Sequence, residues 1–563
     1  MLQKNTRKFS WLLSFAGAGV LICQLSIASV SIKNGNFFMG YTDIIYPGGF
    51  EPKIDRTYNS KTPYRGIFGH GWGNEYEAYL TVSADGSVVV HEYGGGAENR
   101  FIPVGFKDSD LDSAVAKIVE EATKDGILSS PKLLADYKER LRNDATFRND
   151  EWERYKSRGK MTPRKLPDGT QLQSNQFSYQ YITKVNNGYI RVMDSGKMES
   201  FNEDGKLVKV ADKNGNFIAL SYGADGRITK VEDNFNRKMY FTFNKDGLVS
   251  RIEGEGQDKK VATYTYNSND ELIQSVDSDK NTYAYKYDSD HNMTEIGYTD
   301  KTKMQISYHA RDKYQNVKSI RGRDGILTEY DYSYENGNRN NVTVAVQVKD
   351  QSGKSISKNK YQYVSKIKAG GDVWTYKLIT DLDGDRTETT YNEMNMPVLI
   401  KHGMDETTFA YDKRGHVTKK VTPYETTELE YDANVNKVTR VVQFSKEAPS
   451  EKTWSEFQYD QKGNLTTAKN SAGKGVRLIY DSTGRIKTLV DQAKNEISFK
   501  YNEHSKPIQI TDSKLGSINV VYSNSGDIKS VESPAGRQIA AQVTDAFQSL
   551  LEIIRPAGVS LSF

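Results

Sequence analysis

YDSTGRIKTLVDQAKNEISFKYNEHSKPIQITD, residues 480–512, states one phrase twice: Tyr480-Asp481 returns as Tyr501-Asn502, and GRIKTLVDQ (484–492) returns as KPIQITDSK (506–514). Outward from this stretch, an aromatic followed by a turn-rich group stands at Phe201, Tyr222, Phe243, Tyr266, Tyr287, Tyr308, Tyr334, Tyr363, Tyr391, Tyr411, Tyr431, Tyr459, Tyr480, Tyr501 and Tyr522. The commonest spacing is 21 residues, and the longer gaps carry polar insertions such as ENGNRNN and KIKAGGD. Self-similarity at a fixed period marks a repeat architecture.

Inside each unit the side chains alternate. Ile497, Phe499 and Tyr501 share one face while Glu496, Ser498 and Lys500 share the other, and Ile518, Val520 and Tyr522 repeat the pattern. Such alternation reads as short, half-buried strands. Between them lie groups such as DSTG, ADGR and NKDG. Their Gly accepts positive φ, and their Asp or Asn can bond its own backbone two residues on. Each repeat is therefore strand, turn, strand, turn. Open sheets rarely pass about ten strands without curling. A long ribbon with one apolar face should coil, that face inward and the charged face to water. The expected fold class is mainly β: antiparallel hairpins coiled into a spiral, shell-like sheet over 166–536.

Two segments break the pattern. Residues 107–165 carry Leu111, Val115, Ile118, Val119 and Ala122 on one helical stripe and Leu133, Leu134, Tyr137 and Leu141 on a second. Ser130-Pro131 reads as a helix N-cap followed by Pro at the first position. Asp150 and Glu151 open a possible third helix with Trp152 and Tyr155. Two or three inserted helices are expected, either flanking the sheet or plugging its apolar lining. Residues 537–563 could form an amphipathic helix through Ile539, Val543, Phe547, Leu550 and Ile554. Thr544-Asp545 and the echo of SPAGRQIAA in RPAGVSLSF favour a terminal degenerate repeat instead.

The N-terminus reads as a secretory signal peptide: basic Lys4, Arg7 and Lys8, an apolar run from Trp11 to Ile22, and small residues before cleavage between Ala28 and Ser29. A lipid anchor on Cys23 is the alternative, disfavoured by the bulky Ile22. The expectation is an exported protein of the periplasm, the surface or the medium, with no membrane span in the mature chain. Losing 1–28 takes three basic residues and no acidic one from totals of 77 and 73, which leaves a nearly neutral chain. That balance gives no footprint for nucleic acid. The single cysteine leaves too, so neither disulfides nor a thiolate site can operate.

The Tyr-Asp-x-x-Gly phrase at Tyr411-Asp412 to Gly415, Tyr459-Asp460 to Gly463 and Tyr480-Asp481 to Gly484 resembles the YD repeat of the RHS (rearrangement hotspot) family. Residues 49–89 resemble the N-terminal domain that commonly precedes those repeats, here 29–106, through RTYNS (Arg56, Tyr58, Asn59) and FGxGW (Phe68, Gly69, Gly71, Trp72). The resemblance implies a spiral β-sheet shell, often hollow, which in toxin systems encloses an effector and in other members is surface-associated. The toxin-bearing branch ends its core with Asp-Pro-x-Gly-Leu, where self-cleavage frees the effector. No Asp-Pro pair follows the last repeats here, so a self-cleaving carrier is not expected.

Catalytic chemistry is sparse. The histidines His70, His91, His291, His309, His402, His416 and His504 show no metal-binding spacing. Gly-x-Ser-x-Gly, P-loop and dinucleotide patterns are missing. DLDGDRTE (381–388) places Gly384 too early for an EF-hand loop and reads as a solvated turn. Most of the 36 tyrosines hold the repeat position and should be core. Tyr41, Tyr46 and Trp374 are the candidates for exposed binding platforms. The expected function is a non-enzymatic scaffold, without cofactor or metal, that engages a partner protein or surface glycan. The alternative is a container for a toxin or other cargo from a separate chain, with a glycan-active enzyme third.

Overall fold

The computed structural model describes residues 29–554 apart from 93–96, 163, 175–179, 256–258, 310–313, 369, 504, 523–527 and 533–535. Ala28 of the expected cleavage site, Cys23 and His504 lie outside the described residues, while Ser29 opens the first strand. The chain forms two compact units, one of 26–212 and 216–416, the other centred on 417–563.

In both units the repeat is an antiparallel ladder of short strands, each paired to the next in sequence. Strand Phe217–Tyr222 pairs with Ile228–Asp233, Leu220 opposite Val231, and a register shift at Ser221/Tyr222 sets Tyr222 against Ile228. The same one-residue bulge precedes Phe243, Tyr266, Tyr287, Tyr308, Tyr391, Tyr431, Tyr459, Tyr480, Tyr501 and Tyr522. A bulge bends its strand and adds twist, so each repeat contributes curvature.

The tyrosine hydroxyl ties successive hairpins together. Tyr222, Tyr266, Tyr287, Tyr308 and Tyr411 donate to the carbonyls of Leu207, Val249, Leu272, Met293 and Pro397 at 2.6–3.1 Å. In the second unit Tyr431, Tyr459, Tyr480, Tyr501 and Tyr522 donate to Val417, Val438, Leu465, Ile486 and Pro507 at 2.7–3.0 Å. Every acceptor is the first residue of the second strand in the preceding hairpin. The Asp that follows caps the turn: Asp481 Oδ1 accepts from the backbone N–H of Thr483 and Arg485, and Asp460 Oδ1 from Lys462 and Asn464. Gly415, Gly463 and Gly484 then take φ near +80°, a region that costs other residues strain.

The 29–106 segment divides differently from expectation. Strands Ser29–Ser31, Asn36–Ile45, Lys53–Asn59 and Trp72–Asn74 form a separate four-stranded sheet. Strands Tyr79–Val82, Val88–Glu92 and Ala97–Pro103 instead join the repeat ladder, with Phe101 opposite Ser174. The four-stranded sheet lays Phe37, Met39, Ile54, Tyr58 and Trp72 against repeat residues such as Val231, Ile252, Tyr264 and Tyr285 in one buried core. Helices α1 (Asp108–Lys124), α2 (Pro131–Asn143) and α3 (Ala145–Ser157) turn their stripes on each other. Leu111, Val115, Ile118, Leu141, Trp152 and Tyr155 make a core that takes only Ala84 from the ladder among its buried members. The helices therefore leave the repeat's apolar lining to the N-terminal sheet.

The terminal-repeat reading of 537–563 is corrected: Gly536–Ile554 is helix α4, and 555–563 lies outside the described residues. Thr544-Asp545 closes no hairpin; Thr544 Oγ1 donates to the Ala540 carbonyl within the helix. Helical spacing wins because Ile539, Ala546, Leu550 and Ile553 fall on one stripe and are buried. Ala546, Leu550 and Ile553 join the core of the second unit with Leu429, Val441, Phe457, Leu478 and Leu489.

Candidate functional site

The N-terminal signature residues converge on one buried polar site. A register shift between Thr42 and Ile44 turns Asp43 inward beside Arg56 of the neighbouring strand. Arg56 Nε and Nη2 donate to Asp43 at 2.9 and 3.1 Å, and Nη2 also reaches Ser275 and Tyr285. Both side chains are fully buried. The guanidinium lies 4.2 Å from the Trp72 ring centroid and within 5.7 Å of Tyr41, Tyr264 and Tyr285. Burial alone would lower its pKa, but the Asp43 carboxylate together with Tyr285 and Tyr264 holds the group well above its ordinary value. Tyr264 donates to Asp43 at 2.8 Å. Trp72 Nε1 donates to the Tyr287 hydroxyl at 2.9 Å, and Tyr58 bridges the His291 carbonyl and the Met293 N–H. Phe68 packs edge-on against Tyr264. Gly69 takes φ +90°, and a Cβ there would stand 2.3 Å from the Asp270 carbonyl. Arg56, Tyr58, Phe68, Gly69 and Trp72 are thus docking residues that fasten the N-terminal sheet to the repeats. With its carboxylate paired and its aromatics packed, this site offers no reacting group.

A second buried charge cluster closes the first unit on itself. Asp85, in the turn between two ladder strands, pairs with Arg100 and with Arg148 of α3. Arg100 also bonds Asp372 at 2.5 Å, and Arg148 donates to the Gly370 carbonyl. Burial raises the Asp85 pKa, but the two guanidinium groups and the Ser87 hydroxyl and N–H together leave the carboxyl below its ordinary value. Arg100 and Asp372 lie far apart in the strand order, so this contact shows the ladder curling back to meet the helical insertion. Asp43, Asp85, Arg100, Arg148 and Asp372 went unmarked in the sequence, because their partners are remote and only the bulge at Asp43 aims it inward.

The remaining candidates resolve as structural groups. His91, His309, His402 and His416 each bond within the ladder, to Glu98, the Tyr330 carbonyl, Asp385 and Asp412. His70 and His291 stack on one another at 4.2 Å. Among the described residues no group of three or more His, Cys, Asp or Glu is placed to hold a metal ion. DLDGDRTE is a hairpin tip in which Asp381 accepts from Gly384 N–H. The proposed platforms Tyr41 and Trp374 are buried and Tyr46 is partly buried, so none is an exposed ring. Burial also holds the repeat phenols high, Tyr501 to about 12, which keeps them hydrogen-bond donors.

One face is only half-buried. From Thr375 to His416 no residue is buried. On the face shared with Tyr391 and Tyr411, cross-strand neighbours run Leu378, Thr389, Ile400 and Thr407. Thr389 stands where the covered repeats place Leu220, Phe241, Tyr264 and Ile306, and Thr407 where they place Ile218, Met239 and Ala262.

These features define a protein built from curved, tyrosine-tied β-hairpin repeats, with an N-terminal sheet docked on their apolar face. A family model described as Teneurin YD-shell matches residues 434–560, and one described as a domain of unknown function, DUF6531, matches 28–101. Both matches fall on parts that mark RHS/YD-repeat proteins, the shell repeats and the N-terminal domain that precedes them. No curated protein matches it. Among solved structures, TcdB2-TccC3-TEV shares 10% identity over 89% of this chain and 28% of that chain, with a TM-score of 0.42. The Photorhabdus luminescens Tc holotoxin pore shares 10% over 87% and 27%, with a TM-score of 0.30. A porin-like protein from Bacteroides uniformis shares 10% over 47% and 94%, with a TM-score of 0.12. This chain spans less than a third of the length of the first two. Among the described residues no helix is long and apolar enough to cross a membrane.

Proposed function

We propose that this chain is an exported, non-enzymatic YD-repeat scaffold whose role is to engage a partner protein or a surface glycan. The observation that carries the reading is the cover on its apolar faces: the N-terminal sheet over the repeats of the first unit, and α4 over those of the second. A ladder whose lining is filled by its own chain has its solvent-facing side left for recognition. Pull-down of tagged mature protein from its own cells, read by mass spectrometry, tests this. A stoichiometric partner released by mild salt supports it, and capture of nothing but chaperones would overturn it.

The second reading is a container for cargo from a separate chain, and the half-buried, threonine-bearing face from 375 to 416 favours it. Site-specific photo-crosslinkers at Thr389 and Thr407 separate the two. Cargo held there crosslinks in cells and is released only on denaturation, whereas a scaffold yields crosslinks from outward positions such as Lys401 and Glu406.

A further inference from the structure

His291 stands where the YD phrase calls for glycine: Tyr287-Asp288-Ser289-Asp290-His291 matches Tyr480-Asp481-Ser482-Thr483-Gly484. It adopts φ +64°, a conformation in which His is uncommon though better tolerated than most residues. The departure puts an imidazole against the GHGW turn. The His70 and His291 rings stack at 4.2 Å, inclined by 19°, joining residues 221 positions apart.

We propose that the stacked His70–His291 pair is an acid-sensitive clasp: neutral rings hold the GHGW turn of the N-terminal sheet on the repeats, and double protonation loosens it. This goes beyond the scaffold reading and does not depend on it. The charged groups that act on the pair are Arg65, Asp270 and Glu271, and Asp288 caps the turn that carries His291. Glu271, largely buried, holds His291 Nδ1 at 2.9 Å and takes the Asn267 amide on its other oxygen. Asp270 is bound by Arg65 at 2.7 Å. Asp288 Oδ1 accepts from the N–H groups of Asp290 and Asn292. With both rings charged, Glu271 faces His291 at Nδ1, while His70 meets a cationic ring and Arg65 with the nearby carboxylates already engaged.

Burial first, and His291 second, lower the His70 pKa from its ordinary 6.5. The unfolded chain therefore binds this proton more tightly, and the stability that His70 contributes above about pH 6.5 is lost as pH falls below it.

The chain has seven histidines, few enough for a ¹³Cε1-histidine NMR titration assigned with His70→Gln and His291→Gln. The expected result is a His70 midpoint below 6.5 that rises by half a pH unit or more in His291→Gln. Amide exchange over 58–77, corrected for intrinsic rate, should quicken at least threefold between pH 7.5 and 5.0 in the parent and stay flat in His70→Gln. The proposal is overturned if His70 titrates at or above 6.5, if its midpoint ignores His291, or if exchange over 58–77 responds equally in parent and variant. Should either variant fail to fold, the His70 signal is assigned in the parent by its through-space contact with the stacked His291 ring, and the parent's titration decides the first of these.

Discussion

Arg56→Met leaves Asp43 as a fully buried carboxylate whose remaining partner is the Tyr264 hydroxyl, since both Arg56 bonds to it, at 2.9 and 3.1 Å, are lost. Removing one member of a buried ion pair costs about 3–5 kcal/mol, because the other charge stays desolvated and uncompensated. Unfolding entropy of ~2.1 cal/mol/K per residue gives ~0.8 kcal/mol per kelvin for a unit of roughly 390 residues. The first unit's transition should therefore fall by about 4–6 °C in scanning calorimetry. Asp43→Leu should cost a similar amount by stranding the guanidinium. The double variant, Asp43→Leu with Arg56→Met, removes both charges from a pocket already walled by Trp72, Tyr41, Tyr264 and Tyr285, so it should be no worse than either single change. That is a coupling of at least ~3 kcal/mol across the cycle. Additive losses, with the double variant falling by about 8–12 °C, would refute the claim that this pair acts as one desolvated unit.

Three further outcomes follow from the same geometry. Tyr287→Phe, which removes the donor to Leu272 and the acceptor of Trp72 Nε1, should cost ~2–3 kcal/mol, whereas Tyr501→Phe, which loses one bond to Ile486, should cost ~1 kcal/mol; chemical denaturation midpoints compare them. Truncation after Glu532 strips α4 from Leu429, Val441 and Leu478 and should raise hydrophobic-dye binding severalfold, whereas deleting 108–157, whose stripes pack on each other, should raise it little. Gly371→Ala places a Cβ 2.7–2.9 Å from the backbone of Asn143, Asp144 and Ala145 at a φ of +92°, so limited proteolysis should cut between 140 and 150 at least tenfold faster than in the parent.

The repeat was written in the chain because it is local. Tyr480-Asp481 with Gly484 sets an Asx-capped turn, alternation sets the faces, and the 21-residue period brings each hydroxyl to the preceding hairpin. The positions of α1 and α2 were equally legible, since amphipathic stripes and the Ser130 cap need no distant partner, whereas α3 begins at Ala145 on the Asp144 cap and not at Asp150. What covers the apolar lining was not legible. An aliphatic stripe records that it must be buried but not against what, so α4 was mistaken for a repeat and the helical insertion stood as a candidate plug. The signature residues Arg56, Tyr58 and Trp72 could be named from the sequence, but their roles could not. Asp43 reaches Arg56 only through a bulge, and His70 reaches His291 only because the docked sheet closes a gap of 221 residues. Short-range turn chemistry and periodicity determined the ladder; long-range docking, whose energy depends on partners remote in sequence, was decided by the tertiary structure alone.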